Sequence, residues 1–345
     1  MHAAARRALI GVDHDGATQQ AMEVRNVASP IVTLTLNPAV DLSSIADVVQ
    51  PTHKIRTTEE VFDPGGGGIN VARVIRSLGG DSCALVMTGG ASGKLLEALL
   101  DEAGVIWRAI PIRGRNRISV NVHERQTGLE YRFVPAGPTV AEDEWRSALQ
   151  LLDVVAAEWI VASGSLPPGV PADFYARAAS IAARRGQKFV LDTSGPALHA
   201  MKGLAANGLA VKGLGIELLK LSLRELEQLI GHPLPDADAQ DREVARLIQS
   251  GAARKIAVSL GQDGAVLGTS DGISRMQAMK VEPIGAVGAG DSFLAGLVLG
   301  LARGMTQMQA LAFGNAAGAA AVSTYGTARV RRDQVEALYR DWQAD

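Results

Sequence analysis

Gly285-Ala286-Val287-Gly288-Ala289-Gly290-Asp291-Ser292 sets three glycines and one carboxylate directly ahead of an apolar run, Phe293 to Ala302. Glycines at this density pack no core, but they let a backbone turn tightly and present its N–H groups to an anion. The apolar run is too short to span a membrane and reads as a buried helix. The unpaired N–H groups of its first turn carry about half a positive charge, and Asp291 stands at that mouth. A carboxylate there can simply cap the helix. It can also be a base beside an anion hole for a phosphoryl group, with Gly288, Ala289 and Gly290 supplying backbone donors.

Two other glycine clusters suggest phosphate loops and fail the test of spacing. Gly65-Gly66-Gly67-Gly68 precedes a helical stretch, but no G-x-G-x-x-G passes through it, and it follows Asp63-Pro64 rather than a buried strand. A tight ligand-contacting turn with Asn70 in the helix's first turn fits better. Gly89 to Lys94 resembles a Walker loop only in part, because Thr88 stands where its first glycine belongs and Leu95 where Ser or Thr should hold magnesium. We read it as a structural turn.

The elements that must carry these groups alternate helix with strand. Ile31–Leu36, Cys83–Met87, Trp107–Ile110, Trp159–Ala162, Lys188–Leu191, Ile216–Leu221 and Lys255–Ser259 read as strands. Val71–Leu78, Lys94–Asp101, Glu142–Val155, Ala172–Arg185, Arg224–Ile230 and Arg242–Gln249 read as helices, with further helices from Ser292, Thr306 and Arg332. Such alternation predicts an α/β fold with a mostly parallel sheet covered on both faces, and ligands beyond the carboxyl ends of its strands. Asp41 is expected in a loop after the first strand. Arg117 to Val134 breaks the pattern, because Ile118, Val120 and Val122 alternate with polar residues, turn at Thr127-Gly128 and alternate again. With a strand expected over Lys54–Phe62, this hairpin predicts a small sheet standing off the main domain, and its apolar face needs a cover.

Composition narrows the partners. With 34 basic and 36 acidic residues and 4% aromatics, no charge or stacking case exists for nucleic acid or for an anionic membrane. Cys83, the single cysteine, falls in an apolar strand and fits a reducing cytoplasm; the six histidines show no ligand spacing. Residues 1–29 are expected to form a disordered extension.

Three motifs in order carry a family resemblance. Gly288-Ala289-Gly290-Asp291 with its helix is similar to a signature of the ribokinase/PfkB family of sugar kinases. Pro64 to Arg73 resembles that family's N-terminal signature, and Ser163-Gly164-Ser165-Leu166-Pro167-Pro168-Gly169 resembles its phosphofructokinase branch. The resemblance covers roughly Ile31 to Asp345. It implies a ribokinase-like three-layer α/β/α domain over residues 30–345, with a β lid formed by about 51–63 and 115–135 that also clasps a homodimer. It implies ATP- and Mg2+-dependent phosphorylation of a sugar phosphate, fructose 6-phosphate first, with a monovalent cation as a further candidate ligand.

The same resemblance assigns residues. Asp291 is the base, and Asp41, Gly66, Gly67, Asn70 and Ser165 take the sugar. Lys54 and Arg117 are the cations for the substrate's own phosphate, since an arginine fork matches phosphate oxygens. Ser259, Gly261 and Gly264 resemble the ATP loop. Lys220, Ser222 and Glu225 match the family's K-P-N-x-x-E motif, with Glu225 orienting a magnesium-bound water. Leu221 and Ser222 depart from that motif, and Ala286 replaces a frequent threonine, which implies weakened metal or nucleotide affinity. Gly67 stands where 1-phosphofructokinases and tagatose-6-phosphate kinases resemble G-G-K-G, so those activities are runners-up. A non-catalytic sugar-phosphate sensor is the rival of another class.

Overall fold

The computed structural model describes residues 30–206, 215–285, 287–324, 327 and 329–344; the expected extension over residues 1–29 lies outside them. The β-branched run after Pro30 forms β1 (Ile31–Thr35), buried at all five positions. Its parallel neighbours are β4 (Ser82–Thr88) and β8 (Trp159–Ser163). β5 (Trp107–Pro111) extends one side, and β9 (Lys188–Asp192), β10 (Ile216–Ser222) and β11 (Lys255–Ser259) extend the other, all parallel. β12 (Ala265–Thr269) and β13 (Gly272–Met276) close that edge as an antiparallel hairpin, giving nine strands in the order β13-β12-β11-β10-β9-β8-β1-β4-β5.

Helices cover both faces, because each strand run buries side chains on alternate sides. On one face Val32, Leu34 and Phe189 join a core with α3 (Glu142–Leu152), α4 (Phe174–Arg184), α6 (Leu223–Ile230) and α7 (Ala237–Gln249). On the other, Ile31, Val161 and Val190 meet α1 (Gly67–Ser77), α8 (Ala289–Ala302), α9 (Gln307–Val322) and α10 (Arg332–Ala344). Phe293, Leu294, Leu297 and Val298 of α8 are all below 5% exposed, and burial of each is worth about 1.5–3 kcal/mol. That anchors the helix whose N-terminus carries Asp291. α2 (Gly90–Glu102) starts at the expected turn, and α5 (Gly195–Ala206) completes the set.

The lid is a four-stranded sheet in the order β3-β2-β6-β7. β6 (Arg117–Glu124) and β7 (Glu130–Phe133) form the expected hairpin. β3 (Thr58–Gly65) begins later than the expected strand at Lys54 and runs through Pro64. β2 (Ala39–Ala46) corrects the sequence reading, which put Asp41 in a loop: it pairs antiparallel with β3 and parallel with β6. Two-sided pairing outweighs its polar composition, because Asp41 and Ser43 face the cleft while Val40 and Leu42 face away. Phe62, Leu42, Val120 and Phe133 lie in register across the outer face of all four strands. With Phe62 at 42% and Phe133 at 60% exposure, that face stands uncovered.

Candidate active site

Strand order reverses at β1, whose successors run to β4 and β5 on one side and to β8 onward on the other. Such a switch point opens a crevice beyond the carboxyl ends of the two central strands. Asn37, after β1, bridges it: its Nδ2 donates to Ser165 Oγ (3.4 Å), after β8, and to Ala136 O (2.9 Å). Gly67, the first residue of α1, fits only because it lacks a side chain, since a Cβ there would run into Ser163 Oγ. This close approach brings Asn70 to the opposite wall. Its Nδ2 donates to Asp291 Oδ2 at 2.8 Å, joining segments 221 positions apart.

Asp291 is not the cap of its helix. Gly288 is, with φ of 80° in the left-handed region, where glycine is the residue that fits without strain. Its carbonyl accepts from Ser292 N (2.9 Å) and Ser292 Oγ (2.8 Å). Asp291, in the first turn, is left with its carboxylate facing the crevice. Burial, reinforced by the nearby Asp192 carboxylate, raises its pKa to about 7 against the lowering effects of the Asn70 hydrogen bond and Lys220. A carboxylate poised there suits general base work near neutral pH.

A buried polar chain supports it. Ser163 Oγ donates to Asp192 Oδ2 (2.9 Å), and Lys220 Nζ donates to Asp192 Oδ1 (3.0 Å). Desolvation works against the Lys220 ammonium, but Asp192, Asp291 and Glu225 outweigh it, so its pKa stays above the ordinary value. Its Nζ lies 3.0 Å from the place a Cβ on Gly290 would take. One fixed cation therefore stands beside the glycine-built helix mouth.

On the sugar side, Asp41 rests against Gly65. Burial lifts its pKa to about 6, opposed by a Thr327 side-chain hydrogen bond and by Arg117 and Arg132. Arg117 donates to Asn37 O (2.8 Å) and Pro135 O (3.0 Å), which fixes its guanidinium near Asp41. Arg132 lines a small pocket with Asp41. Gly66 caps α1 against Thr35 and Pro38, and its φ of 116° matches the expected tight turn. Lys54 is not brought here: it is exposed in the 47–57 connection, at the end of β2 and β3 away from Asp41 and Gly65.

A cleft of about 850 Å³ adjoins the helix mouth, floored by Ala289, Gly290 and Phe293 and walled by Ser222, Ser259, Gly261 and Gly264. Lid residues His123 and Glu130 reach its rim. The places expected to hold nucleotide therefore line one cavity with the anion hole. Glu225 spends one oxygen on structure: Oε2 accepts from Ser222 N (2.7 Å) and Ser222 Oγ (2.8 Å) in the capping box of α6. Among the described residues no group of three or more His, Cys, Asp or Glu could hold a metal. The donor set fits Mg2+ only as that ion usually sits, on few carboxylates with waters and substrate phosphates completing its shell. Sequence reasoning left Asp192, Ser163, Asn37 and Thr327 without roles; Ser163 opens a motif that signalled it, and Asp192 was signalled only by falling at a strand end. Among the described residues no helix is long and apolar enough to cross a membrane.

Comparison with known proteins agrees with this geometry. The family model described as pfkB family carbohydrate kinase matches residues 34–333. The ATP-dependent 6-phosphofructokinase isozyme 2 of Mycobacterium tuberculosis is 44% identical over 312 residues, 90% of this chain and 88% of that protein. The crystal structure of phosphofructokinase-2 from Escherichia coli in complex with potassium superposes with a TM-score of 0.84 at 34% identity, covering 91% of this chain and 99% of that one. The same Escherichia coli protein has been solved with fructose-6-phosphate and in a tetrameric inhibited form. Arabidopsis thaliana ribokinase shares the fold, with a TM-score of 0.70 at 20% identity over 90% or more of both chains.

Proposed function

The chain belongs to the pfkB family of carbohydrate kinases, and we propose that it transfers the γ-phosphoryl group of ATP to the 1-hydroxyl of fructose 6-phosphate. The observation that carries this is the meeting of Asp291, Asn70 and Lys220 at a glycine-built helix mouth, with Arg117 and Arg132 on the sugar side. The 6-phosphofructokinase activity of the relatives supports the choice of acceptor.

Asp291 takes the proton of the attacking hydroxyl, and Asn70 holds the carboxylate in line for it. Lys220 and the N–H groups at the start of α8 offset charge on the transferring group, where one such donor is worth about 3 kcal/mol. Asp192 keeps Lys220 charged and in place. Asp41 receives sugar hydroxyls, and Ser165 and Gly66 shape the floor beneath them. Arg117 and Arg132 face the substrate's phosphate, a dianion that uncharged groups could not take out of water. Lys54 stands outside this set unless a second copy supplies it. Glu225 would hold a magnesium ion through water, and the ion would supply neutralisation of the nucleotide's phosphate charge. A monovalent cation, such as the potassium solved with the Escherichia coli protein, is a further candidate ligand. The uncovered row Phe62, Leu42, Val120 and Phe133 supports a homodimer through the lid, and the single buried cysteine, Cys83, supports a reducing cytoplasm.

Ser163 Oγ already fills the space beside Gly67, which disfavours the lysine-bearing loop of the 1-phosphofructokinase and tagatose-6-phosphate kinase type. A coupled assay of ADP release over fructose 6-phosphate, fructose 1-phosphate, tagatose 6-phosphate and free fructose tests the reading. Preference for fructose 1-phosphate or tagatose 6-phosphate moves the acceptor. Absence of ADP release with every sugar leaves a sensor.

A further inference from the structure

One polar atom on the lid's inner face has no role in the chemistry above. Asn121 sits mid-strand in β6, in register with Ser43 on β2 and Arg132 on β7. It shares its face of the sheet with Asp41 and Ser119. Its Oδ1 is shut off from water, yet it has no hydrogen-bond partner. A buried amide oxygen without a donor costs stability and calls for an explanation.

The surroundings say what that donor is. Asn121 lines the small pocket of Asp41, Ser119, Arg132 and Thr327, and also a cavity of about 450 Å³ that lid residues share with Gly285, Val287 and Arg329. The Thr327 side chain is already committed to Asp41. The Arg117 guanidinium is held by the Asn37 and Pro135 carbonyls, and neither its Nε, which has no partner, nor any other of its N–H groups bonds Asn121. A phosphate group offers an amide oxygen no proton, whereas a sugar hydroxyl does.

We propose that Asn121 Oδ1 accepts a hydrogen bond from a ring hydroxyl of the sugar phosphate other than the one phosphorylated, which makes Asn121 a specificity-determining residue carried by the lid. This rests on the sugar-phosphate reading above. Because the acceptor rides on the lid, the contact forms only where lid and crevice meet on the same sugar. Asp41 reads hydroxyls from the adjacent strand as a carboxylate, while Asn121 reads one without adding negative charge beside the substrate's phosphate.

The test measures kcat/KM for fructose 6-phosphate and for three analogues that lack the 2-, 3- or 4-hydroxyl, using the full-length protein and its Asn121→Ala and Asn121→Ser variants. Asn121→Ala should lower kcat/KM for fructose 6-phosphate about three- to tenfold, as one neutral hydrogen bond predicts. The KM for ATP should stay unchanged. For one analogue, parent and variant should be equally active, because the hydroxyl that Asn121 reads is already gone. Asn121→Ser should show the same pattern and carries the test if the alanine variant fails to fold. Equal losses with all three analogues, or no loss with fructose 6-phosphate, overturn the assignment of Asn121. A parent inactive toward fructose 6-phosphate overturns instead the substrate reading on which it rests.

Discussion

Asn70→Ala deletes one contact, the 2.8 Å hydrogen bond from Nδ2 to Asp291 Oδ2, and its effect is read in pH. With that donor present the Asp291 carboxyl titrates at about 7. A hydrogen bond to an ionised group is worth about 1.5–3 kcal/mol, and the protonated carboxyl keeps part of it. A net loss of about 1.4–2 kcal/mol raises the carboxyl by about 1–1.5 pH units. The acid limb of kcat/KM, which reports the free enzyme, should therefore move from about pH 7 to about pH 8–8.5. At pH 7 the ionised fraction falls from about one half to about 3–9%, a loss of roughly five- to sixteenfold, and most of it returns by about pH 9.5. The assay is ADP release at saturating ATP and fructose 6-phosphate held well below its KM, from about pH 5.5 to 9.5. A uniform loss with the limb unmoved would make Asn70 a sugar ligand only. A limb that moves to lower pH would refute the electrostatic account of Asp291.

Asp291→Asn should keep the fold and cut turnover at least about a hundredfold, since an amide accepts no proton; turnover within tenfold of the parent removes Asp291 from the base role. The same variant should be the more stable one at alkaline pH. The folded carboxyl ionises at about 7 against an ordinary 3.8, so the unfolded chain loses its proton first and the parent loses stability as pH rises between the two. Free energies of unfolding from denaturant titration should coincide near about pH 4 and diverge by about 1–3 kcal/mol in favour of the variant above about pH 7. Arg117→Ala should raise the KM for fructose 6-phosphate roughly ten- to hundredfold, with little change toward free fructose; an unchanged constant would detach Arg117 from the phosphate. Phe62→Glu with Phe133→Glu should leave a monomer in sedimentation at micromolar concentration, whereas the parent should sediment as a dimer; a monomeric parent with full activity would remove the lid from assembly.

The parallel sheet was legible because its strands are short apolar runs spaced by helical periods, and the hairpin was legible because Ile118, Val120 and Val122 alternate cleanly. β2 was not. Asn37-Pro38 reads as a breaker, and Asp41, Ser43 and Ser44 dilute the strand signal, since they line cavities rather than core. β12 and β13 were passed over for a related reason: Gly268 and the Thr269–Gly272 turn interrupt an edge hairpin whose outer strand is only partly buried. α5 was missed because it lacks a clear division between apolar and polar sides. In the site, Asp291 and Asn70 announced themselves through glycine-rich neighbours, but Asp192 is one acidic residue at a strand end among many. Only the pairing of β8, β9 and β10 puts it between Ser163 and Lys220. Lys54 shows the converse case, a suitable charge that the direction of β2 and β3 carries away from the Asp41 end of its own chain.

Positions 67 and 163 occupy one space between them. A lysine at 67 meets Ser163 Oγ first, and the backbone of Ser163 and Gly164 stands 3.0 and 3.1 Å from its Cβ. Glycine at 163 would clear the hydroxyl, but it would also take from Asp192 Oδ2 the donor it now has at 2.9 Å, on the carboxylate that steadies Lys220. Space at position 67 and order at Asp192 are thus coupled through one hydroxyl: a side chain at 67 displaces the Ser163 Oγ, and that displacement takes from Asp192 the donor that holds it against Lys220.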